Sequence, residues 1–331
     1  MTIAQASPNR QPMRTVVRFL AIAMMALPLA ALAGEHPPVP GLNSPSPLAG
    51  RVWSPSERRL ISPEALVERM LEAGIVGLGE THDNPDHHAL QAWAVRRLVA
   101  AGRRPVVAFE MMDADQQAAL DAGLGDLDGL GRALHWEKRG WPDWSLYRPI
   151  AQAALDGGGA LVAANLPTST TREIAKGQEN PDIRDRFGLD DPLPAPISAA
   201  MATEIRDGHC NLLPETAVPA MVRVQRARDA ALAEAVANQA TRPEVGPVVL
   251  VAGSGHVRAD RGAPARLRLL VPGVRVFTLA FLEAGDGESD PAAAARFRDG
   301  GTPFDAVWFT GKVEREDPCA QMERHMRAKA K

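Results

Sequence analysis

Six short and almost uninterrupted apolar runs, each followed by enough chain to form a return crossover, leave this sequence few folds to choose from. They are Ile75–Gly79, Pro105–Glu110, Ala160–Asn165, Pro247–Gly253, Val274–Phe281 and Ala306–Thr310. A strand with one wet face alternates apolar and polar residues; these runs barely alternate, as expected of strands covered on both faces. The intervening chain reads as helix. Pro85 stands at a first helical position, and residues 86–101 carry Leu90, Trp93 and Leu98 along one side. Such alternation predicts an α/β fold with a mostly parallel central sheet flanked by helices. The intervals at about 111–154 and 168–241 are too long for single crossovers and are read as an inserted helical cap subdomain over one sheet edge. Within the second, residues 180–196 hold four prolines and read as a loop.

The chain has 331 residues, 45% hydrophobic and 23% charged, which excludes a disordered or fibrous protein. Lys plus Arg number 37 against 40 acidic residues, so no basic field marks a nucleic-acid partner. Cys210 and Cys319 stand alone, which excludes multi-thiolate zinc and iron–sulfur sites. At the N-terminus, Arg10, Arg14 and Arg18 precede an uncharged run of 15 residues, Phe19–Ala33, interrupted by Pro28. That is short of the roughly 20 residues needed to cross a bilayer. With Ala31-Leu32-Ala33 at its end, the segment reads as a signal peptide, residues 1–33, cut after Ala33, a retained anchor being the alternative. Loss of its three arginines takes the net charge from −3 to −6. No cysteine near the cut is available for lipidation, and no stable membrane span remains, so the expected residence is the periplasm. Residues 34–50, rich in Pro, Gly and Ser, read as a linker to a single domain over 51–331. In an oxidising compartment Cys210 and Cys319 are expected to form a disulfide, with free thiols as the alternative.

Polar residues collect at the strand ends. The first strand runs into Gly79-Glu80-Thr81-His82, the second ends at Glu110, the third at Asn165, and the fourth in Gly253-Ser254-Gly255-His256. In a parallel sheet these ends share one edge, where open α/β sheets bind ligands. A carboxylate there is costly to bury unless a cation or donor meets it. Glu80, His82, Glu110 and His256 can therefore satisfy one another, an ion or a ligand; a structural Glu80–His256 pair is the plainer alternative. The next helix starts with His87 and His88, either aimed at the crevice or exposed to solvent, with Gln91 on the face of His87. Farther on, the apolar stripe Val218, Met221, Leu232 and Val236 is interrupted by Gln225 and Asp229, with Arg228 beside them. That face is expected to close over the strand ends, unless Arg228 only forms a surface salt bridge. His209 belongs to the same cap. His135-Trp136, Trp141, Trp144 and Tyr147, the only tyrosine, join Met111 and Met112 as either a flat ligand site or core.

The ordered blocks G-E-T-H-D-N-P-D-H-H (79–88), F-E-M-M-D-A-D-Q-Q (109–117), W-P-D-W-S-L-Y-R-P-I (141–150), A-A-N-L-P (163–167), H-C-N-L-L-P (209–214), V-Q-R-A-R-D (224–229) and G-S-G-H-V-R (253–258) resemble the ChaN-type haem-binding uptake family. The resemblance implies an exported α/β protein serving bacterial haem and iron uptake, with haem as ligand, in a wider superfamily with Tiki-type metalloproteases and erythromycin-esterase-like enzymes. Many family members look like lipoproteins; this chain departs from them. A homodimer and a haem-uptake receptor or transporter component are the further partners it suggests. Haem iron accepts His, Met or Tyr, so Tyr147, His82, His87, His88, His209 and His256 are the axial candidates. Glu80, Glu110, Asn165, Gln225, Arg228 and Asp229 complete the ligand-binding set. The alternative function is a metal-dependent hydrolase, an esterase or peptidase, with His82, Glu110 and His256 on a divalent metal and Glu80 as base. The absence of an H-E-x-x-H helix and of a G-x-S-x-G elbow around Ser254 weighs against it.

Overall fold

The computed structural model describes residues 44–242, 246–297 and 301–329, together with Thr2 and Pro38. Apart from Thr2, the expected signal peptide lies outside the described residues. From residue 44 onward the order is β1 (Val52–Ser54), β2 (Arg59–Ile61), α1 (Pro63–Leu71), β3 (Ile75–Glu80), α2 (Pro85–Ala100) and β4 (Val106–Asp113). Then come α3 (Gln117–Gly123), α4 (Leu127–Ala133), α5 (Trp144–Asp156), β5 (Ala160–Asn165), α6 (Thr168–Lys176), α7 (Pro181–Arg186), α8 (Ala195–Gly208) and α9 (Val218–Ala240). The chain closes with β6 (Val248–Gly253), α10 (Ala263–Leu270), β7 (Val276–Glu283), α11 (Pro291–Ala294), β8 (Ala306–Thr310) and α12 (Pro318–Lys329).

The eight strands form one sheet in the order β2-β1-β8-β7-β3-β6-β4-β5. The six anticipated strands are its parallel part, and β1 joins β8 antiparallel. Side chains along a strand alternate between faces. Val76 and Leu78 of β3 therefore meet Leu90 and Trp93 of α2 and Ile150 of α5 on one side. Ile75 meets Leu232 and Val236 of α9 and Leu267 of α10 on the other. The α/β reading is borne out. Asn84 starts α2 by accepting the Asp86 N–H at 2.9 Å, with Pro85 at the first position as anticipated.

Three details depart from the sequence reading. The β1–β2 hairpin was not anticipated, because three-residue strands carry no measurable period. Residues 180–196 are not all loop: Asn180 caps α7 through the Asp182 N–H, and Pro194 and Pro196 bracket the start of α8, where proline is tolerated. Of the 34–50 linker, Ser46 and Leu48 are buried, and Gly50 N–H donates to the Phe309 carbonyl at 2.9 Å. The two long intervals also combine roles. α5 and the C-terminal half of α9 are layer helices of the sheet, whereas α6, α7 and the middle of α9 enclose a separate small core around Leu166, Ile174, Phe187 and Val224.

Cys210 and Cys319 are disulfide-bonded, joining the turn after α8 to the first turn of α12 across 109 residues. Closing so long a loop restricts the unfolded chain, and breaking it is expected to lower stability by about 2–4 kcal/mol. Urea unfolding of a Cys210→Ala/Cys319→Ala variant checks this; a loss below about 1 kcal/mol would show that the tie does not constrain the fold.

Candidate functional site

The carboxyl ends of β3, β6 and β4 lie side by side, because β6 inserts between the two strands that precede it in the chain. This brings Glu80, His82, Glu110 and His256 together, and α9 adds Gln225, Arg228 and Asp229. Glu80 is 2% exposed; its Oε1 accepts from His82 Nδ1 at 2.8 Å and from the Tyr147 hydroxyl at 3.0 Å, while His88 Nδ1 is 3.3 Å from Oε2. Burial would raise its pKa, but the hydrogen bonds from His82 and His88 prevail and hold it at about 2. Glu110 accepts Gly253 N–H at 2.7 Å and lies 3.2 Å from His256 Nε2, and these contacts hold it well below the usual carboxylate range despite burial.

His256 is clamped between two carboxylates, with Asp229 Oδ1 2.7 Å from Nδ1 and Glu110 on Nε2. Both ring nitrogens face acceptors, so the ring is an imidazolium. Burial alone would lower its pKa, yet the Glu110 and Asp229 charges push it up to about 10. Asp229 itself is raised to about 6 by burial, against the pull of His256. The Gln225 amide stands 3.2 Å from His256 Nδ1, and Arg228 reaches to 3.9 Å from Glu110. Asn165 acts through the backbone, donating to the Glu110 carbonyl at 2.8 Å. Glycine at 253 leaves room for the His82 ring: a Cβ there would stand 3.0 Å from His82 Nε2, and the imidazole would have to shift.

Among these groups, His82 and Arg228 face solvent, with side chains 35% and 30% exposed. Trp141 packs its ring edgewise on His82 at 5.0 Å, whereas Trp136, Trp144, Tyr147, Met111 and Met112 belong to the core. The aromatic stretch is therefore core, reaching the site through Trp141 against His82 and the Tyr147 hydroxyl on Glu80. His87 and His88 do not aim at the crevice. His87 Nδ1 accepts the Thr81 N–H at 2.9 Å and its Nε2–H donates to Thr310 Oγ1 at 2.9 Å, which fixes a neutral ring; burial lowers its pKa to about 4. His88 donates from Nε2 to the His82 carbonyl at 2.8 Å, so both of these histidines hold the loop after β3 in place. Thr310 was missed from the sequence; its one signal was a polar residue closing an apolar run.

His209, at the end of α8, is separate from this network and lines a cleft of roughly 600 Å³ shared with Met201, Ile205, Gln225, Ser254 and Phe297. Its Nδ1–H donates to the Ile205 carbonyl at 2.7 Å. His82, Glu110 and His256 do converge as the metal reading required, but no group of three or more His, Cys, Asp or Glu side chains among the described residues is disposed to hold a metal ion. The physical reason is that His256 directs both nitrogens at carboxylates rather than at a shared point.

These features define a class: an α/β protein with a buried carboxylate–histidine network at the carboxyl edge of its sheet and a histidine-lined cleft beside it. The family model for haem-binding uptake proteins, Tiki superfamily, ChaN, matches residues 66–267, and the chain belongs to that family. The structure of ChaN of Campylobacter jejuni, which shows cofacial haem binding to that protein, shares the fold at 19% identity and a TM-score of 0.58, covering 78% of this chain and 95% of that one. The type III effector HopBA1 (15% identity, TM-score 0.44, 75% and 92% covered) and the erythromycin esterase EreC in its open conformation (17%, 0.41, 78% and 81%) are more remote. No curated protein matches the sequence.

Proposed function

We propose that this chain binds haem as a transported ligand, after export to the periplasm and cleavage behind Ala33, with His209 as the iron ligand in the cleft between α8 and α9. The observation that carries the reading is the state of the His209 ring. Its Nδ1 is engaged by a carbonyl, so Nε2 bears the lone pair, and that nitrogen has no partner among the described residues. Metal-bound histidines have this arrangement, the second nitrogen fixing ring and tautomer. Met201, Ile205 and Phe297 supply apolar wall and Gln225 and Ser254 polar points; Glu204, paired with Arg258 and Arg261, and Asp207 add acidic groups to the lining. Tyr147, His87, His88 and His256 are each buried and bonded on their polar atoms, which leaves His82 as the competing ligand. Export accords with the basic–apolar–Ala-x-Ala start and with the disulfide. A homodimer and a receptor or transporter component belong to the same reading and rest on the family resemblance alone.

Haemin titration of the purified chain is expected to give a saturable Soret band that survives desalting, and His209→Ala to weaken binding about tenfold or more and shift the band. If His82→Ala shifts it and His209→Ala does not, the ligand is His82; if no saturable band forms, the haem reading falls. One observation favours a hydrolase as the second reading: Glu80 orients His82 Nδ1 and leaves Nε2 at the crevice, 3.9 Å from Glu110, the arrangement of a general base. Ester turnover abolished by His82→Ala on the same preparation would support it.

A further inference from the structure

A second cleft, of about 270 Å³, lies among the start of α8, the middle of α9 and α10; it meets the polar network only at Asp229 and the His209 cleft only at Met201. Its walls are apolar, with Phe187, Leu193, Ile197 and Met201 prominent, yet Arg226 and Arg266 also line it. These arginines differ from the others nearby in having no carboxylate on their guanidinium groups. Arg226 donates to the carbonyls of Leu189, Gly188 and Asp191, at 3.1, 2.7 and 2.9 Å. Arg266 donates to the Arg186 carbonyl at 3.1 Å, and its buried Nε has no partner. A buried donor left without an acceptor costs about 1–3 kcal/mol, so such an atom at the wall of a cleft points to a ligand acceptor.

The acidic residues of the same cleft are already engaged. Asp229 is held by His256 at 2.7 Å, and Asp260 binds Arg258 at 2.8 Å and Arg261 at 3.1 Å. Asp191, on the loop before α8, is solvent-exposed and adds its negative charge on the side of Arg226. What remains for a ligand is an apolar slot with two cationic forks. Burial first, and then the like charges of Arg223 and Arg266, hold the Arg226 pKa below the ordinary guanidinium range against the pull of Asp191 and Asp190.

We infer that this cleft is a binding site for a small amphiphile with one carboxylate head, its apolar body between α8 and α10 and its head on Arg226 and Arg266. Guanidinium forks match the planar, bidentate geometry of a carboxylate, and the volume is at the lower end for ligand pockets, which fits one alkyl chain rather than a tetrapyrrole. The proposal goes beyond the haem reading and does not depend on it.

The test is calorimetric titration of the full purified chain with decanoate and, separately, with 1-decanol. Decanoate is expected to bind saturably at one site and decanol at least about tenfold more weakly, because a charge-assisted hydrogen bond contributes about 1.5–3 kcal/mol. Arg266→Gln is expected to weaken decanoate about tenfold and leave decanol unchanged; Ala265→Trp, which fills the slot from α10, is expected to abolish both. Circular dichroism of each variant establishes that it is folded. Absence of saturable decanoate binding to the unmodified chain overturns the proposal, as does equal affinity for the alcohol or an unchanged affinity in folded Ala265→Trp. Haemin titrated in saturating decanoate is expected to bind as it does alone; stoichiometric displacement would place both in one site and overturn a separate one.

Discussion

Replacing Glu110 by alanine is expected to lower the stability of this protein by about 3–5 kcal/mol, the cost of leaving a buried charge without its partner. Glu110 is 1% exposed and is where three parts of the fold meet: the C-terminal half of β4, the end of β6 through Gly253 N–H, and the His256 ring. Alanine leaves that N–H without an acceptor and leaves the imidazolium of His256 with Asp229 alone. Chemical denaturation at neutral pH checks the figure, and Glu110→Gln sharpens it. The glutamine keeps an acceptor for Gly253 but no charge, so its loss should fall between that of the unmodified chain and that of alanine. Arg228→Ala is the contrasting case. At 3.9 Å from Glu110 and 30% exposed, its pairing is solvent-screened and should contribute no more than about 1 kcal/mol. A cost for Glu110→Ala no larger than that for Arg228→Ala would mean that His256 is not held as a cation, and the network described above would have to be redrawn.

The parallel sheet was legible because its strands are covered on both faces, which removes alternation and leaves runs such as Pro247–Gly253 conspicuous. The strand-end residues were legible for a related reason: Glu80 and Glu110 each follow directly on apolar runs, where a charge needs a partner, and Gln225 and Asp229 interrupt an otherwise apolar stripe. What periodicity does not carry is direction. His87 and His88 stand in the first turn of α2, and only the fold shows that they point back to Thr81, Thr310 and the His82 carbonyl rather than into the crevice. The same limit hid Arg226 and Arg266. In sequence they are two arginines among many, and their distinction, bonding to carbonyls instead of carboxylates, exists only in three dimensions. The β1–β2 hairpin was hidden by its shortness.

His87 offers a large pH effect that can be read at one residue. In the folded chain its ring is neutral, because Thr81 N–H occupies the Nδ1 lone pair, and its pKa falls from 6.5 to about 4. The sign follows from linkage: the unfolded chain takes up a proton near pH 6.5 and the folded one resists until about 4, so stability is complete above the first value and is lost as pH falls toward the second. Between pH 7.5 and 5 the loss should reach about 2 kcal/mol. Other groups act in neighbouring or overlapping windows. Glu80, held at about 2, removes stability only below 4.5; Asp229, raised to about 6, contributes with the opposite sign between 3.8 and 6; and His256, raised to about 10, loses stabilisation as pH rises from 6.5 toward 10. The total slope therefore mixes several titrations, and the decisive quantity is the difference between the unmodified chain and a His87→Asn variant measured by urea unfolding at each pH. The variant should be the less stable at pH 7.5, having lost the ring that joins Thr81 to Thr310, and the gap should narrow by about 2 kcal/mol by pH 5. A gap that stays constant over that range would show that His87 takes up its proton in the folded state as readily as in the unfolded one, and that the loop after β3 is not locked by a neutral imidazole.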